Sequence, residues 1–481
     1  MSRAWILIAV LLTSAVVGGV VWSRSLSTPP TVVTLEASPA GQIPAVPDAN
    51  APIIEVKAPD SEAAVSGSAA SGQVSGQVSG QTSSTIQEVT LSPTTIEPDP
   101  SRSEPQPEVN PPDINPPEIN AVQACATPPE SLEVAAPSQP KIFTGRVGLY
   151  VARFPKGSSG FAPDKVIQVN SEFQFPLASN FKTAVMLEVM RELQAGTVKP
   201  NEKFVVTRAN QSLGDFPFDN TPVLELGMRM IEWSDNTATD MLFRRVGLEK
   251  LQPLADRLNL CNTRLQLPTK TWWVAQAGFG GPDFPKYALR NASKNFADAD
   301  FSTRLEIAKR LDAYAQKVAP DRLNAAVETY FAGRNGGREA MGEIDRNLQN
   351  ASTPHEWARF LFAAFVNNNL EPKWNQKFRE IMYHGKGRYL LKVPITYFGG
   401  KSGNTARVLT YSGYLETKSG DRLIYVYMND SSQEIATRDQ TPQAFFWINA
   451  ALRKLMRAED LKADLKKVDS LKPKASADTA R

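Results

Sequence analysis

The residues best suited to chemistry are Ser179 and Lys182, which stand three positions apart. A serine hydroxyl at its ordinary pKa is a weak nucleophile and needs a neighbouring group that accepts its proton. If Ser179 begins a helix, Lys182 projects from the same face one turn later, so its amine can reach the hydroxyl. The pair therefore predicts a serine nucleophile with a lysine as its base.

A helix after Ser179 is indicated by apolar residues that recur at the spacing of one helical face. Pro176 ends the preceding extended segment, and Gly196 supplies a stop. Ser179 would then lie at a helix N-terminus, where the helix dipole favours developing negative charge. The apolar positions are Phe181, Val185, Met186, Val189, Met190 and Leu193.

Two later triplets contain residue types that would complete such a site: Ser-Asp-Asn at 234–236 and Lys-Ser-Gly at 401–403. Each motif alone is weak. Ser-x-x-Lys also occurs at 138–141 in a proline-rich tract, and Lys-Ser-Gly recurs at 418–420 in a predicted hairpin turn. The three motifs in this order, each in a suitable local context, predict one catalytic site.

Histidine and cysteine are both scarce, since the chain has two of each. His355 and His384 lack neighbours at metal-ligand spacing, so we expect no metal, no other cofactor and no Ser-His-Asp triad. Thr353 and Glu356 form a capping box that predicts a helix start, with Pro354 as the first helical residue. His355 is predicted to be exposed in the first turn of this helix, and His384 to lie in a loop. Cys125 and Cys261 either form a disulfide in an oxidising compartment or remain two thiols.

Residues 4–22 form an uncharged stretch long enough to span a bilayer as a helix. We expect an uncleaved anchor over residues 1–24, because the only small-x-small cleavage site contains Arg24. The catalytic domain is then expected on the periplasmic or extracellular side of the cell inner or plasma membrane. Secretion after signal cleavage is the alternative.

Residues 25–140 are rich in Pro, Ser and Gly and predict a disordered linker that cannot bury a core. Residues 24–140 carry three basic and fourteen acidic side chains, a net charge of −11. Residues 141–481 carry 49 basic and 36 acidic side chains, a net charge of +13. This basic part either suits an anionic, wall-like surrounding or only keeps the domain soluble. No nucleic-acid partner is predicted.

The globular part over residues 141–456 predicts an α+β fold. Strand patterns near residues 147–151 and 166–169 precede many helical patterns. Three strand patterns within residues 397–428 then precede a closing amphipathic helix. We expect an antiparallel sheet flanked by helices plus a helical lobe, with the catalytic site at their boundary. A polar insertion is placed at about 266–350, and a loose charged tail at 457–481.

The three motifs and their contexts resemble the class A β-lactamases and, more broadly, the penicillin-recognising serine hydrolases. The similarity covers nearly all of residues 141–456 apart from the insertion. It implies that Ser179 attacks a lactam carbonyl while Lys182 accepts its proton. It also implies that Ser234 relays a proton to the leaving nitrogen.

The resemblance implies a substrate-binding set made of Asn236, Lys401, Ser402, Gly403 and Asn404. Asn236 would bind the amide side chain of a β-lactam or peptidoglycan-like substrate, and Lys401 and Ser402 its carboxylate. The backbone N–H groups of Ser179 and Asn404 would form an oxyanion hole.

The resemblance weakens at the residue that should activate the deacylating water. Class A enzymes that turn over use a glutamate there, and direct alignment places Thr269 at that position. Glu343, four residues before Asn347, is the candidate substitute. We expect a class A type β-lactamase that acts through a Ser179 acyl-enzyme. The alternatives are a slow-turnover penicillin-binding enzyme, such as a D-alanyl-D-alanine carboxypeptidase or esterase, and a non-catalytic wall-binding or sensing module.

Overall fold

The structure is a computed structural model that describes residues 131–214, 216–332, 337–433 and 437–462. The predicted membrane anchor, most of the predicted linker and most of the charged tail lie outside the described residues. Within the described ranges, no helix is both long and apolar enough to cross a membrane.

A six-stranded sheet brings the beginning and the end of the domain together. The described strands are β1 (Leu132–Glu133), β2 (Arg146–Phe154), β3 (Lys165–Val169), β4 (Phe175–Pro176), β5 (Lys203–Phe204), β6 (Thr221–Pro222), β7 (Ala351–Ser352), β8 (Tyr397–Asn404), β9 (Leu409–Glu416) and β10 (Arg422–Asp430). The main sheet has the order β1-β3-β2-β10-β9-β8. β1 pairs parallel with β3, and the remaining pairs are antiparallel. The predicted strand patterns are thus confirmed as neighbours in one sheet.

Helices cover the sheet and form the remaining layers. They are α1 (Lys182–Ala195), α2 (Val223–Glu232), α3 (Asn236–Val246), α4 (Gln252–Arg257), α5 (Thr269–Gln276), α6 (Leu289–Asp298), α7 (Phe301–Lys317), α8 (Pro320–Ala332), α9 (Gly337–Leu348), α10 (Pro354–Val366), α11 (Pro372–Tyr383) and α12 (Thr441–Leu455). The mixture of helices with a largely antiparallel main sheet confirms the predicted α+β class.

The central strands are buried on both faces because an apolar helix packs on each side. Tyr425 and Tyr427 of β10 share a core with Trp447 of α12. Ile424 and Val426, on the other face of the same strand, share a second core that includes helices α1 and α10. Alternate residues of one strand therefore face different layers, as the pleat requires.

The insertion contains helices and has a hydrophobic core of its own. Its sequence indicates only a polar insertion and does not predict this core. The rings of Trp272 and Trp273 of α5 are in tilted contact, with centroids 4.1 Å apart. They belong to a buried cluster with Leu311 of α7 and Phe331 of α8. The polar residues of the insertion therefore lie on the outer faces of amphipathic helices.

The predicted helix start at Thr353 is confirmed, but the predicted exposure of His355 is wrong. Thr353 Oγ1 accepts a hydrogen bond of 3.0 Å from Glu356 N, and Pro354 is the first helical residue. His355 is 3% exposed. Its ring lies 5.2 Å from the Tyr150 ring, and its Nδ1 lies 3.0 Å from Glu172 Oε1. A neighbouring strand covers this face of the helix, which local sequence does not reveal.

Candidate active site

Ser179 lies in a 3₁₀ turn, Ala178–Phe181, directly before α1. The predicted helix is therefore present, but its α-helical part begins at Lys182. Ala178 has φ +43°, a left-handed conformation that is unfavourable for a residue with a Cβ. Ala178 and Asn180 are buried, whereas Ser179 is partly exposed. The turn thus presents the serine, alone of these three residues, to solvent.

The Lys182 side chain is fully buried and reaches the loop before α3. Its Nζ donates to Ser234 O at 2.7 Å and lies 3.3 Å from Ser234 Oγ. It also donates to Asn236 Oδ1 at 2.8 Å. These acceptors all belong to the Ser-Asp-Asn triplet, so the structure joins the first two motifs. The predicted contact between the amine and the Ser179 hydroxyl is not among these hydrogen bonds.

Burial lowers the pKa of Lys182 to about 7, because removal from water disfavours the charged form. The carboxylates of Asp235 and Asp240 oppose this shift, and the ammonium of Lys386 adds to it. A lysine with this pKa is largely a neutral amine just above neutral pH. It then has a lone pair that can accept the proton of a nearby hydroxyl.

Ser234 joins the second motif to the third. Its Oγ accepts a hydrogen bond of 3.0 Å from Lys401 Nζ, besides its contact with Lys182. Ser234 has φ +61°. The next residue, Asp235, caps α3 by accepting from Ala238 N at 2.9 Å, and it pairs with Arg229 at 2.9 Å. Asp235 therefore holds the loop in place.

Strand β8 lies against the nucleophile turn. Lys401 is fully buried, and its Nζ also donates to Ser402 O at 2.8 Å. A Cβ built on Gly403 would lie 2.5 Å from Ser179 N and 2.8 Å from Leu177 O. Only glycine permits this approach of the two backbones. The third motif is thereby fixed beside the nucleophile.

The other predicted binding residues lie around the same group. Asn236 is partly exposed, and its Nδ2 donates to Leu213 O at 3.0 Å. Ser402 is buried, while Asn404 is exposed at the end of β8 and pairs with Leu409 of β9. Their substrate contacts and the oxyanion hole of Ser179 and Asn404 stay predictions.

Thr269 occupies a buried position at the start of α5, tied to the helix of the second motif. Asp240 of α3 accepts hydrogen bonds from Thr269 N at 2.5 Å and from Lys270 N at 2.7 Å. The Thr269 hydroxyl itself is buried and makes no hydrogen bond within the described residues. The position at which direct alignment expects the glutamate therefore carries a neutral hydroxyl.

The structure does not join Glu343 to this group of residues. Glu343 lies on α9, and its Oε2 accepts a hydrogen bond of 2.6 Å from Arg290 Nε within the insertion. The carboxylates that act on Lys182 are those of Asp235 and Asp240. The role of Glu343 as a deacylating acid stays a prediction.

Sequence reasoning missed one residue of the site, Lys386. Its ammonium lowers the pKa of both Lys182 and Lys401. The available signal was its setting: Lys386 stands between two glycines, Gly385 and Gly387, just before the strand of the third motif. Glycines on both sides of a residue permit close packing of the backbone, and burial lowers the pKa of Lys386 itself.

The motif geometry agrees with the comparison against protein families. The model of the β-lactamase enzyme family matches residues 141–451. The chain therefore belongs to the β-lactamase enzyme family. Comparison with curated proteins finds no sequence that matches this chain.

The solved structures that align with this chain include PBP-A and class A β-lactamases. The structure of PBP-A aligns at 17% identity over 65% of this chain and 91% of that chain, with a TM-score of 0.42. A class A β-lactamase from Mycobacterium abscessus aligns at 12% identity over 65% and 94%, with a TM-score of 0.43. The TLA-3 extended-spectrum β-lactamase aligns at 14% identity over 65% and 94%, also with a TM-score of 0.43.

Proposed function

We propose that this protein is a serine acyl-transfer hydrolase that β-lactams acylate at Ser179 and that releases the acyl group slowly. The observation that carries the proposal is the hydrogen-bonded group of Lys182, Ser234 and Lys401 beside the Ser179 turn. Three segments far apart in sequence converge there, in a family whose members include β-lactamases.

The proposed acylation uses Ser179 as the nucleophile and moves its proton through Lys182 and Ser234. Ser179 Oγ attacks the carbonyl carbon of the substrate, and its proton passes to the neutral amine of Lys182. The carbon–nitrogen bond then breaks. The Ser234 hydroxyl gives its proton to the leaving nitrogen, and the Lys182 ammonium replaces it with the proton taken from Ser179, so that the amine is neutral again. The Ser234 hydroxyl suits this relay because it lies 3.3 Å from Lys182 Nζ and 3.0 Å from Lys401 Nζ. An ester on Ser179 remains and needs water for its release.

Slow release is the expected outcome because the described residues offer no unengaged carboxylate beside Lys182. Asp235 and Asp240 each accept backbone N–H groups. The position of Thr269 carries a hydroxyl, which is far too weak a base to activate water at neutral pH. A slow-turnover enzyme that acts on peptidoglycan-like peptides, such as a D-alanyl-D-alanine carboxypeptidase or esterase, therefore fits better than an efficient β-lactamase.

Time-resolved mass spectrometry of the protein mixed with benzylpenicillin tests this proposal. We expect a penicilloyl adduct that maps to Ser179, persists after excess penicillin is removed, and is absent from Ser179→Ala. The matched control is Ser138→Ala, which alters the other Ser-x-x-Lys sequence at an exposed position and should label normally. Absence of any adduct would leave only a binding or sensing module. An adduct that disappears within seconds would identify a β-lactamase with efficient turnover.

A substitution of Glu343 distinguishes slow from efficient release of the acyl group from Ser179. Because its carboxylate pairs with Arg290, we expect Glu343→Gln to leave the release rate of the adduct within about twofold, since general acid–base groups contribute far more than that when they act. Glu328→Gln, on helix α8 of the same insertion, is the control. A tenfold or larger fall in release confined to Glu343→Gln would assign Glu343 as the water-activating acid.

The proposed place of action is outside the cytoplasm, with the domain held at the inner or plasma membrane by its N-terminal stretch. Cys261 is disulfide-bonded, and disulfides persist mainly in oxidising compartments. The chain has one other cysteine, Cys125, which lies outside the described residues. Protease accessibility of the domain in spheroplasts tests the placement. Protection of the domain until the cells are lysed would contradict it.

A further inference from the structure

Lys270 is a buried lysine that the proposed reaction does not use. It follows Thr269 at the start of α5 and is fully buried. Its Nζ donates hydrogen bonds to Ala209 O at 2.9 Å and to Arg208 O at 3.4 Å. Removal of an amine from water is unfavourable unless its N–H groups are hydrogen-bonded, and these two carbonyls offset that cost. Lys270 therefore ties α5 of the insertion to a segment 61 positions earlier in the chain.

The backbone of Lys270 is held against the helix of the second motif. Its N–H group donates to Asp240 Oδ2 at 2.7 Å, and Asp240 is a fully buried residue of α3. Helix α3 begins at Asn236, so the point from which the Lys270 side chain extends is fixed relative to the second motif.

The segment that contains the two carbonyls is the 207–214 loop, and its other end contacts the second motif. Ser212 N donates to Thr237 Oγ1 at 2.9 Å, and Leu213 O accepts from Asn236 Nδ2 at 3.0 Å. Leu213 also packs against the hydrophobic core of the insertion. The loop is therefore attached to α5 near its beginning and to α3 near its end.

Asn236 is the residue through which the loop can affect a substrate. Its Oδ1 accepts from Lys182 Nζ at 2.8 Å, and its Nδ2 donates to Leu213 O. An amide nitrogen carries two hydrogens, so the second one is available to a carbonyl of the substrate. If Leu213 moved, the amide would lose the contact that fixes its rotation. Lys182 would still have Ser234 O as an acceptor at 2.7 Å, so the base would be affected less than Asn236.

We propose that Lys270 is a positioning residue that fixes the 207–214 loop and, through Leu213 O, the orientation of the Asn236 amide. The inference rests on the proposed function and on the binding role that the family resemblance implies for Asn236. It assigns a residue of the insertion to substrate selectivity. Substrates with an amide in the side chain are the ones favoured, because an oriented Asn236 can hydrogen-bond to that amide.

Hydrogen exchange tests the position of the loop without any substrate. Lys270→Met keeps the length of the side chain but removes its N–H donors. We expect the hydrogen-bonded amides of the 207–214 loop to exchange at least about tenfold faster in this variant, measured by mass spectrometry of the whole protein. Lys309→Met, at an exposed lysine on α7 of the same insertion, is the control and should leave this exchange unchanged. Unchanged exchange in Lys270→Met would overturn the proposal.

Acylation by two penicillins tests the effect on Asn236. Benzylpenicillin has an amide in its side chain, whereas 6-aminopenicillanic acid has a free amine at the same place. We expect Lys270→Met to raise the half-saturating concentration of benzylpenicillin about tenfold, as loss of one hydrogen bond does, and to leave that of 6-aminopenicillanic acid within about twofold. The limiting acylation rate should change by less than about threefold with either penicillin, because Lys182 keeps its contacts with Ser234.

Thr237→Val removes the other attachment of the loop and should have the same selective effect on benzylpenicillin. It provides the test if Lys270→Met does not fold. Equal weakening with both penicillins in a folded variant, or no weakening with benzylpenicillin, would overturn the proposal. Labelling of Ser179 in the unmodified protein is scored separately. Its absence would end the proposed function, while the exchange of the loop would still decide whether Lys270 fixes it.

Discussion

At the residue scale, burial and neighbouring carboxylates together set the pKa of the lysine base. Lys182 and Lys401 are both inside the protein, but of the two only Lys182 is attracted by the carboxylates of Asp235 and Asp240. Burial lowers the pKa of Lys182 to about 7 against that opposing attraction. A general base is most effective when its pKa lies near the working pH. Lys182 meets this condition without any histidine in the site.

The acylation rate of Ser179 should therefore rise with pH through a midpoint near 7. Below the pKa of Lys182 the group is an ammonium that cannot accept a proton, and above it the group is a neutral amine. The rate should fall about tenfold for each pH unit below the midpoint, because only the neutral fraction reacts. Stopped mass-spectrometric time courses between pH 5.5 and 9, values that bracket the midpoint by roughly 1.5–2 units, measure it. A rate independent of pH over this range would contradict a lysine base.

Ser234 has a strained backbone conformation that places its hydroxyl between two amines. Its φ of +61° suits glycine better than serine. We expect Ser234→Gly to keep or raise the free energy of unfolding, by up to about 1 kcal/mol, while slowing acylation at least about 100-fold through loss of the proton relay. Urea unfolding and penicillin labelling measure the two effects. Ser234→Ala, which loses the hydroxyl without relief of strain, is the comparison. A large loss of stability in the glycine variant alone would contradict the strain argument.

At the scale of elements, the site depends on the contact between strand β8 and the 3₁₀ turn of the nucleophile. The contact requires Gly403, because a Cβ there would meet Ser179 N, Leu177 O and Thr410 Oγ1 within 3 Å. Two of these three atoms are backbone atoms and can move only if the turn moves. The strand therefore fixes the orientation of the nucleophile directly.

Gly403→Ala should consequently displace the turn. We expect it to slow acylation of Ser179 at least about tenfold and to cost roughly 1–3 kcal/mol of unfolding free energy, as overpacking usually does. Penicillin labelling and urea unfolding provide the two measurements. Gly160→Ala, at a glycine whose Cβ would meet nothing within 4 Å, is the matched control and should behave as the parent protein. Normal labelling of Gly403→Ala would show that the contact is dispensable.

At the scale of the whole molecule, a buried carboxylate connects the sheet with the insertion. Asp430, at the end of β10, is fully buried. It accepts hydrogen bonds from Arg146 of β2 at 2.9 and 2.8 Å and from Arg346 of α9 at 3.4 Å. The insertion is thus joined to the sheet by charge as well as by the packing of its own core.

Asp430→Ala should leave two guanidinium groups without their shared partner. We expect a loss of roughly 3 kcal/mol in the free energy of unfolding, the lower part of the range for a broken buried pair, because both arginines keep some exposure. Urea denaturation followed by tryptophan fluorescence measures it. Asp298→Ala, which breaks the exposed pair with Lys294, should cost no more than about 0.5 kcal/mol. Similar small losses in both variants would show that this connection contributes little to the free energy of unfolding.

The parts that sequence predicted correctly depend on short stretches of chain. The apolar spacing after Ser179, the cap at Thr353 and the strand pattern of residues 397–404 are local features, and each formed the element it predicted. The wrong predictions concerned residues that pack against parts of the chain distant in sequence. His355 is covered by the Tyr150 strand, and the insertion buries Trp272 against helices that follow it.

By itself, the sequence determined the types of reacting groups, their order along the chain and the α+β class, because side-chain chemistry and hydrophobic period are carried by neighbouring residues. Only the tertiary structure decided which groups meet. The bond from Lys182 to Ser234 spans 52 positions, and the bond from Lys401 to Ser234 spans 167. The structure likewise placed Gly385, next to Lys386, against β8 and Glu343 with Arg290. Contacts over such distances, and the loss of hydration that sets the pKa of Lys182, arise from the packing of whole layers and leave no trace in local spacing.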